Sequence, residues 1–352
     1  MHMGFVVGDR ILGLSGDSHA LWSAGYGVMG AWWVLAASAI GQSHLQEHKS
    51  RDDAVQVRAI GPWLAVGVAD GVGTCPLSRY GASYVVDSLT GQLLRELAPP
   101  VQAEKCGPGA AQQASNWEEL VSGLPQDTDQ PLPISDSMYC AGAMAWGLKS
   151  SETAVAPIPS LNDVLSRAFQ KTHLGLVEYA RYLNLKPGDI GTTALALLMN
   201  IETGEGVVGQ VGDGALLGLR ADGNVEPLLD IEQAEDLQSV HSITSDNWAS
   251  HFIKGQLTPF SADNPFSAFF VMSDGVSVDL LYAPLEKTRE WANRVQRLVG
   301  RSSNPAQAAT RILHSLATYK IPGSVDDRTL VIITRREQDA NRKPSAGESE
   351  LA

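Results

Sequence analysis

The sequence is poor in cysteine, in positive charge and in long apolar runs, and each shortage excludes a class of function. Its three cysteines, Cys75, Cys106 and Cys140, are odd in number and show no CxxC spacing. That argues against a disulfide framework or a zinc site and suits a reducing cytoplasm. Basic residues number 26 against 39 acidic ones, for a formal charge of −13. Such a chain lacks the clustered Lys and Arg that nucleic acid or an anionic membrane requires, although it can handle a phosphorylated ligand if cations come with it. The most membrane-like stretch, GVMGAWWVLAASAIG at 27–41, falls short of the roughly 20 apolar residues of a spanning helix. No basic segment precedes it as in a secretion signal. It reads as a buried strand, with one of Trp32 and Trp33 facing inward and the other toward the rim, and the expected localisation is the cytoplasm. Neither a GxSxG elbow nor a P-loop occurs, which leaves serine-hydrolase and NTPase chemistry without a carrier. GYGVMG at 25–30 fits the GxGxxG pattern of dinucleotide binding but runs into a strand where that pattern needs a helix, so a nicotinamide-dependent oxidoreductase is poorly supported.

What the sequence does contain is a set of strand-like runs that hold out carboxylates. WLAVGVAD stops at Asp70-Gly71 and FFVMSD stops at Asp274-Gly275. GVVGQVGDGALLGL carries Asp213 between glycines, and VDDRTLVIIT starts with Asp326 and Asp327. Around them, AVQVRAI and WLAVGVAD flank Gly61-Pro62 as a hairpin. Helical periodicity marks SRYGASYVVDSLTGQLLREL, SLNDVLSRAFQKTHLGLVEYARYLN with an N-capping Ser160, PLEKTREWANRVQRLVG and NPAQAATRILHSLATYK. The stretch 191–220 predicts two strands joined by ETGE, and RTLVIITR the last strand. The first 25 residues are Gly-rich with weak periodicity. Composition shifts at about 98–160 to a long insertion with one short helix near Trp117, 222–265 reads as an irregular flap, and 336–352 as a disordered tail.

Any one Asp-Gly makes a turn; four acids at strand ends ask for more. If they converge, each pair about 4 Å apart repels by about 4 kcal/mol at an effective dielectric near 20. The cluster then needs cations or protons. All-oxygen donors without a His/Cys group select hard ions, Mg²⁺ or Mn²⁺, and glycines such as Gly71 and Gly275 let backbone approach an ion closely.

In sequence order, RDDAV (51–55), VADGVG (68–73), GTTALALL (191–198), VGDGALL (211–217), SDGV (273–276) and DDRTLVII (326–333) resemble the motifs of the metal-dependent PPM, or PP2C-type, Ser/Thr protein phosphatases, in a form similar to a bacterial branch of that family. The resemblance covers most of a single domain at 1–335. It implies an α+β fold, a central sandwich of two antiparallel β-sheets flanked by helices in four α-β-β-α layers, with a site for two Mn²⁺ or Mg²⁺ ions and a weaker third. By the same resemblance Asp70 bridges the two ions and Gly71 offers its carbonyl to the second. Asp274 and Asp326 complete the set around the first ion, Asp213 joins Asp274 at the third, Asp53 orients a metal-bound water and Asp52 stands where the family usually has Glu or a similar polar residue. The implied reaction is one-step hydrolysis of phosphoserine or phosphothreonine by a metal-bridging water, on a phosphorylated protein substrate of a cognate Ser/Thr kinase. The family's phosphate-gripping Arg has His48 at its place, so Lys49 or Arg51 is the expected substitute. His44 and His48 read as exposed loop histidines, His48 able to assist a leaving alkoxide. The rival expectation is a catalytically weak domain of the same fold that binds or regulates a phosphoprotein.

Overall fold

The computed structural model describes residues 11–15, 21–97, 159–229, 241–281, 283–318 and 326–336. Chain segments on both sides of 98–158 belong to one unit. From 98 to 158 the expected insertion, with Trp117, lies outside the described residues, as does the tail from 337.

Among the described residues twelve strands form two antiparallel six-stranded sheets. One has the order β1 (Ile11–Ser15), β4 (Ala54–Ile60), β5 (Trp63–Ala69), β6 (Ala194–Asn200), β7 (Gly206–Val211), β10 (Ile253–Leu257). The other runs β2 (Trp22–Met29), β3 (Trp32–Ala39), β12 (Arg328–Arg335), β11 (Phe266–Met272), β8 (Ala215–Arg220), β9 (Val225–Pro227). This is the α+β sandwich expected from the sequence. The central strands read as unbroken apolar runs because both of their faces are covered. Along β5, Leu64, Val66 and Val68 face the opposite sheet while Ala65 and Ala69 face helices. Along β11, Phe269 and Val271 point into the sandwich while Phe270 and Met272 point outward. The period-two alternation is therefore one of destination, with apolar side chains on either side.

Helices α2 (Ser78–Leu97) and α3 (Leu161–Tyr182) cover the first sheet through Val85, Leu89, Leu165 and Phe169. Helices α5 (Leu285–Gly300) and α6 (Pro305–Thr318) cover the second through Ala292, Val295, Ile312 and Leu313. Ser160 caps α3 by accepting from the Asp163 amide at 3.2 Å, as its sequence predicts. Among the described residues no helix is long and apolar enough to cross a membrane.

Several local expectations are corrected. Residues 194–220 form three strands, and the third, β8, belongs to the other sheet. The weakly periodic start yields β1 and β2, and a helix, α4 (Asp274–Leu281), follows β11 directly. The described parts of 222–265 include the edge strands β9 and β10. Trp33 is only 7% exposed because it lies under the outer helices, so it does not face the rim. Trp32 stacks on Phe260 in the sandwich at 5.2 Å between ring centroids.

Register places one end of the sandwich under the functional motifs. In the first sheet Ala54 pairs with Ala69 and Ala194 with Val211, which brings the start of β4, the end of β5, the start of β6 and the end of β7 together. In the second, Met272 pairs with both Ala215 and Leu330, and Arg328 with Ala39. A short turn from Val211 to Ala215 crosses between the sheets, so both groups of ends lie at the same pole.

The sandwich core makes a direct prediction. Phe269→Ala, which removes a fully buried ring, lowers the unfolding free energy by about 3–5 kcal/mol in urea titration. Leu174→Ala, at a residue 56% exposed, changes it by less than about 0.5 kcal/mol.

Candidate metal centre

At that pole the carboxylates of Asp70, Asp213 and Asp274 converge, with an oxygen from each lying within 4.8 Å of the others. Each comes from a different kind of junction: Asp70 ends β5, Asp213 occupies the crossing between sheets, and Asp274 opens α4. Two charges at this range repel by roughly 3–4 kcal/mol at an effective dielectric near 20. Their titration shows the strain. Burial, and then the charges of Asp53 and Asp274, drive Asp70 well above the ordinary carboxylate range. Burial raises Asp274 to about 6, with Asp213 and Asp326 adding to it, and its carboxyl hydrogen bonds to that of Asp70. Burial also raises Asp213.

The backbone around each acid is pinned. The Asp70 amide donates to Thr193 Oγ1 and its carbonyl accepts from Thr192 Oγ1 and the Thr193 amide, each at 2.8 Å. This explains the paired threonines after Gly191, a motif whose role the sequence left open. Gln210 Nε2 donates to the carbonyls of Gly212 at 2.8 Å and Gly214 at 2.7 Å, bracing the turn that carries Asp213. Gly71 bridges Thr192, and a Cβ there would come within 2.8 Å of Ser78 and 2.9 Å of Asp52. Only glycine lets the chain pass between them.

Around the triad stands a ring of further acids. Asp53 is 1% exposed. Its Oδ2 accepts from Ser273 Oγ at 2.7 Å, and burial followed by the charge of Asp327 raises it to about 8. Asp326 is exposed and lies outside the tight triad, yet its charge acts on Asp70, Asp213 and Asp274. Asp52 is half-buried, with its carboxyl raised by burial.

The acid that organises the loop before β4 is Asp327, which the sequence offered only as the second of two acids at the start of the last strand. It is 1% exposed. Its Oδ1 accepts from the Gly41 amide at 2.6 Å, and its Oδ2 accepts from the Asp52 amide at 2.5 Å and lies 3.1 Å from His44 Nδ1. The loop running from β3 through the short helix α1 (Gln42–Gln46) to β4 is thereby tied to the start of β12. His44 is buried, not solvent-exposed as expected, and the Asp327 hydrogen bond raises it to about 9. His48 is exposed and has a positive φ of 55°. Lys49 is 53% exposed and pairs with Glu47 at 2.7 Å. Arg51 is 1% exposed, donating from Nε to the Asp53 carbonyl at 3.3 Å and from Nη1 to Ser23 Oγ at 3.0 Å. Enclosed between strands, its guanidinium holds the loop together and is not presented to a ligand.

The donor set suits a hard divalent ion. It is all oxygen, and among the described residues Asp53 Oδ1, Asp213 Oδ1 and Asp274 Oδ1 are buried without a hydrogen-bond partner in the chain. Carboxylates held together in this way are stabilised by cations or, failing them, by protons.

A family model described as Protein phosphatase 2C matches residues 40–317. Among solved structures, serine-threonine phosphatase 2C from Toxoplasma gondii aligns with a TM-score of 0.52 at 14% identity, covering 92% of this chain and 99% of that one. A C. elegans sex determining protein aligns at 0.50 and 13% identity, over 86% of this chain and 64% of its own. Serine/threonine phosphatase Stp1 from Staphylococcus aureus aligns at 0.46 and 14%, over 86% and 94%. At these identities the likeness is one of fold. No curated protein matches the sequence.

The raised groups fix the direction of a pH response. Asp274 and Asp53, with folded values of about 6 and about 8, contribute stability that is complete below the ordinary carboxylate value and lost as pH rises through those values. His44, at about 9, contributes stability complete below about 6.5 and lost as pH rises through 9. All three act in the same sense. The cation-free protein therefore melts at a lower temperature at about pH 8.5 than at about pH 5.5, and Mn²⁺ raises the melting temperature more at the alkaline end because it competes with protons. Scanning calorimetry with and without chelator checks both; a melting temperature that climbs with pH in chelator contradicts them.

Proposed function

Because the chain belongs to the protein phosphatase 2C family, whose members are metal-dependent, we propose that it hydrolyses phosphoserine and phosphothreonine in a phosphorylated protein, the product of a Ser/Thr kinase, in the cytoplasm. The observation that supports this best is the convergence of Asp70, Asp213 and Asp274 with buried oxygens left unpartnered by the chain. The proposed domain spans 1–335.

Two ions, Mn²⁺ or Mg²⁺, fit the donors of Asp70, Asp274, Asp326, the Gly71 carbonyl and Asp52, with Asp213 and Asp274 available to a weaker third. Bound there, such ions neutralise phosphoryl charge and make water acidic enough to act near neutral pH. The chain's own residues do the rest. Thr192 and Thr193 hold the Asp70 backbone in place. Asp53, fixed through Oδ2 by Ser273, keeps Oδ1 to orient a water or take its proton. Hydrolysis then proceeds by direct attack of water in line with the leaving alkoxide, without a phosphoryl-enzyme.

The second reading, a phosphoprotein-binding or regulatory module, draws on Arg51: the cation nearest in sequence to the paired acids is enclosed and does not face a substrate. Turnover separates the two. With millimolar Mn²⁺ the protein is expected to hydrolyse p-nitrophenyl phosphate and a phosphothreonine peptide. Asp274→Asn should lower kcat/KM by more than the roughly 10–100-fold that follows loss of an outer-shell partner, with weaker Mn²⁺ binding by calorimetry. Mn²⁺ binding without turnover in the unsubstituted protein would establish the module.

A further inference from the structure

An acidic pocket that admits a phosphoryl group needs positive charge of its own, and the cations near this one have different fates. Arg51 is enclosed by Ser23 and the Asp53 carbonyl, Lys49 is paired with Glu47, and His44 is bound to Asp327. Arg79, the second residue of α2, is different. Its Nη1 donates to Ser50 Oγ at 2.7 Å and its Nη2 to Tyr80 Oη at 2.9 Å, both neutral oxygens. Its Cζ lies 4.7 Å from the centroid of the Tyr80 ring. The guanidinium is thus oriented by a loop hydroxyl and an aromatic face while keeping its charge, and the residue is partly open to solvent.

Its location is set by the metal centre itself. The preceding residue, Ser78, is 1% exposed and packs against Gly71 on the side where Asp52 also approaches it. Arg79 follows Ser78 directly, and its guanidinium reaches Ser50, two residues before Asp52 in the loop that carries the paired acids. Helix α2 therefore docks its first turn on the acidic pocket and sets a guanidinium beside it. Arginine offers a planar fork of donors that matches two phosphoryl oxygens, where lysine offers a point charge.

We infer that Arg79, delivered by helix α2, is the side chain that grips the phosphoryl oxygens of the substrate, in place of any cation from the loop before Asp52. This rests on the phosphatase reading above and specifies how its substrate is held.

The test uses the full chain loaded with Mn²⁺, in unsubstituted form and as Arg79→Ala, Arg79→Lys and Lys49→Ala. Three quantities are read: Mn²⁺ affinity, affinity for inorganic phosphate by calorimetry, and kcat and KM for p-nitrophenyl phosphate. Arg79→Ala is expected to weaken phosphate and raise KM by about tenfold or more, the usual worth of a charge-assisted hydrogen bond, with Mn²⁺ affinity unchanged and kcat less affected. Arg79→Lys should fall between, and Lys49→Ala should match the unsubstituted protein. If Arg79→Ala melts early, Arg79→Lys, which keeps the stem and charge, decides. Unchanged phosphate affinity and KM in the Arg79 variants overturn the inference, as does loss of Mn²⁺ affinity in Arg79→Lys, or an effect of Lys49→Ala equal to that of Arg79→Ala. Absence of phosphate binding by the unsubstituted protein overturns it too. Phosphate binding that Arg79→Ala weakens, in a protein that turns nothing over, retains the Arg79 site and removes the phosphatase reading.

Discussion

The organising constraint is repulsion among carboxylates gathered from distant parts of the chain. Asp70, Asp213 and Asp274 would separate if free to do so, and the ring of Asp52, Asp53, Asp326 and Asp327 makes the pole more negative still. Their gathering is imposed by backbone: Thr192 and Thr193 on Asp70, Gln210 on the Asp213 turn, Ser273 on Asp53. Each of these is a neutral group, so the fold supports the acids without cancelling the charge that would attract cations.

Asp327 and His44 form a buried pair that does cancel charge, and their placement differs from that of the triad. Asp327 draws in the amides of Gly41 and Asp52 together with the His44 ring, so a connection that leaves one sheet and enters the other is fixed by a single carboxylate. Removing one partner of such a pair leaves an uncompensated buried charge, which costs far more than the net worth of the pair. The loop carrying Asp52 and Asp53 therefore has its conformation set from β12, nearly the far end of the sequence.

Much of this was legible in the sequence, and the unread part has physical causes. The Asp-Gly pairs were visible because a strand that stops at an acid and a glycine stands out against its apolar run, and the order of six motifs carried the fold. Long periodic helices such as α3 and α5 were likewise plain. The number of strands at 194–220 was not, because a sheet-crossing turn of Gly212 to Gly214 reads like a bulge within one strand. Asp327 was missed as an anchor since twin acids look alike, and only burial shows which one faces inward. Arg51 was expected to serve a ligand because His48 stands at the place of the family's phosphate-gripping Arg, whereas hydrogen bonds from Nε and Nη1 to Asp53, Ser23 and Ser38 let it lie between strands. Arg79 sits twenty-seven positions from Asp52, a separation that no local spacing rule connects.

The turn at Asp213 has a mechanical meaning. It spans the gap between the sheets, and the other two members of the triad come one from each layer, so the distance between oxygens is measured by the thickness of the apolar filling. Phe269, Val66 and Leu197 thus act as a calliper for carboxylates they never touch. Changes of girth deep in the interior therefore reach the pole as changes in the spacing of its carboxylates.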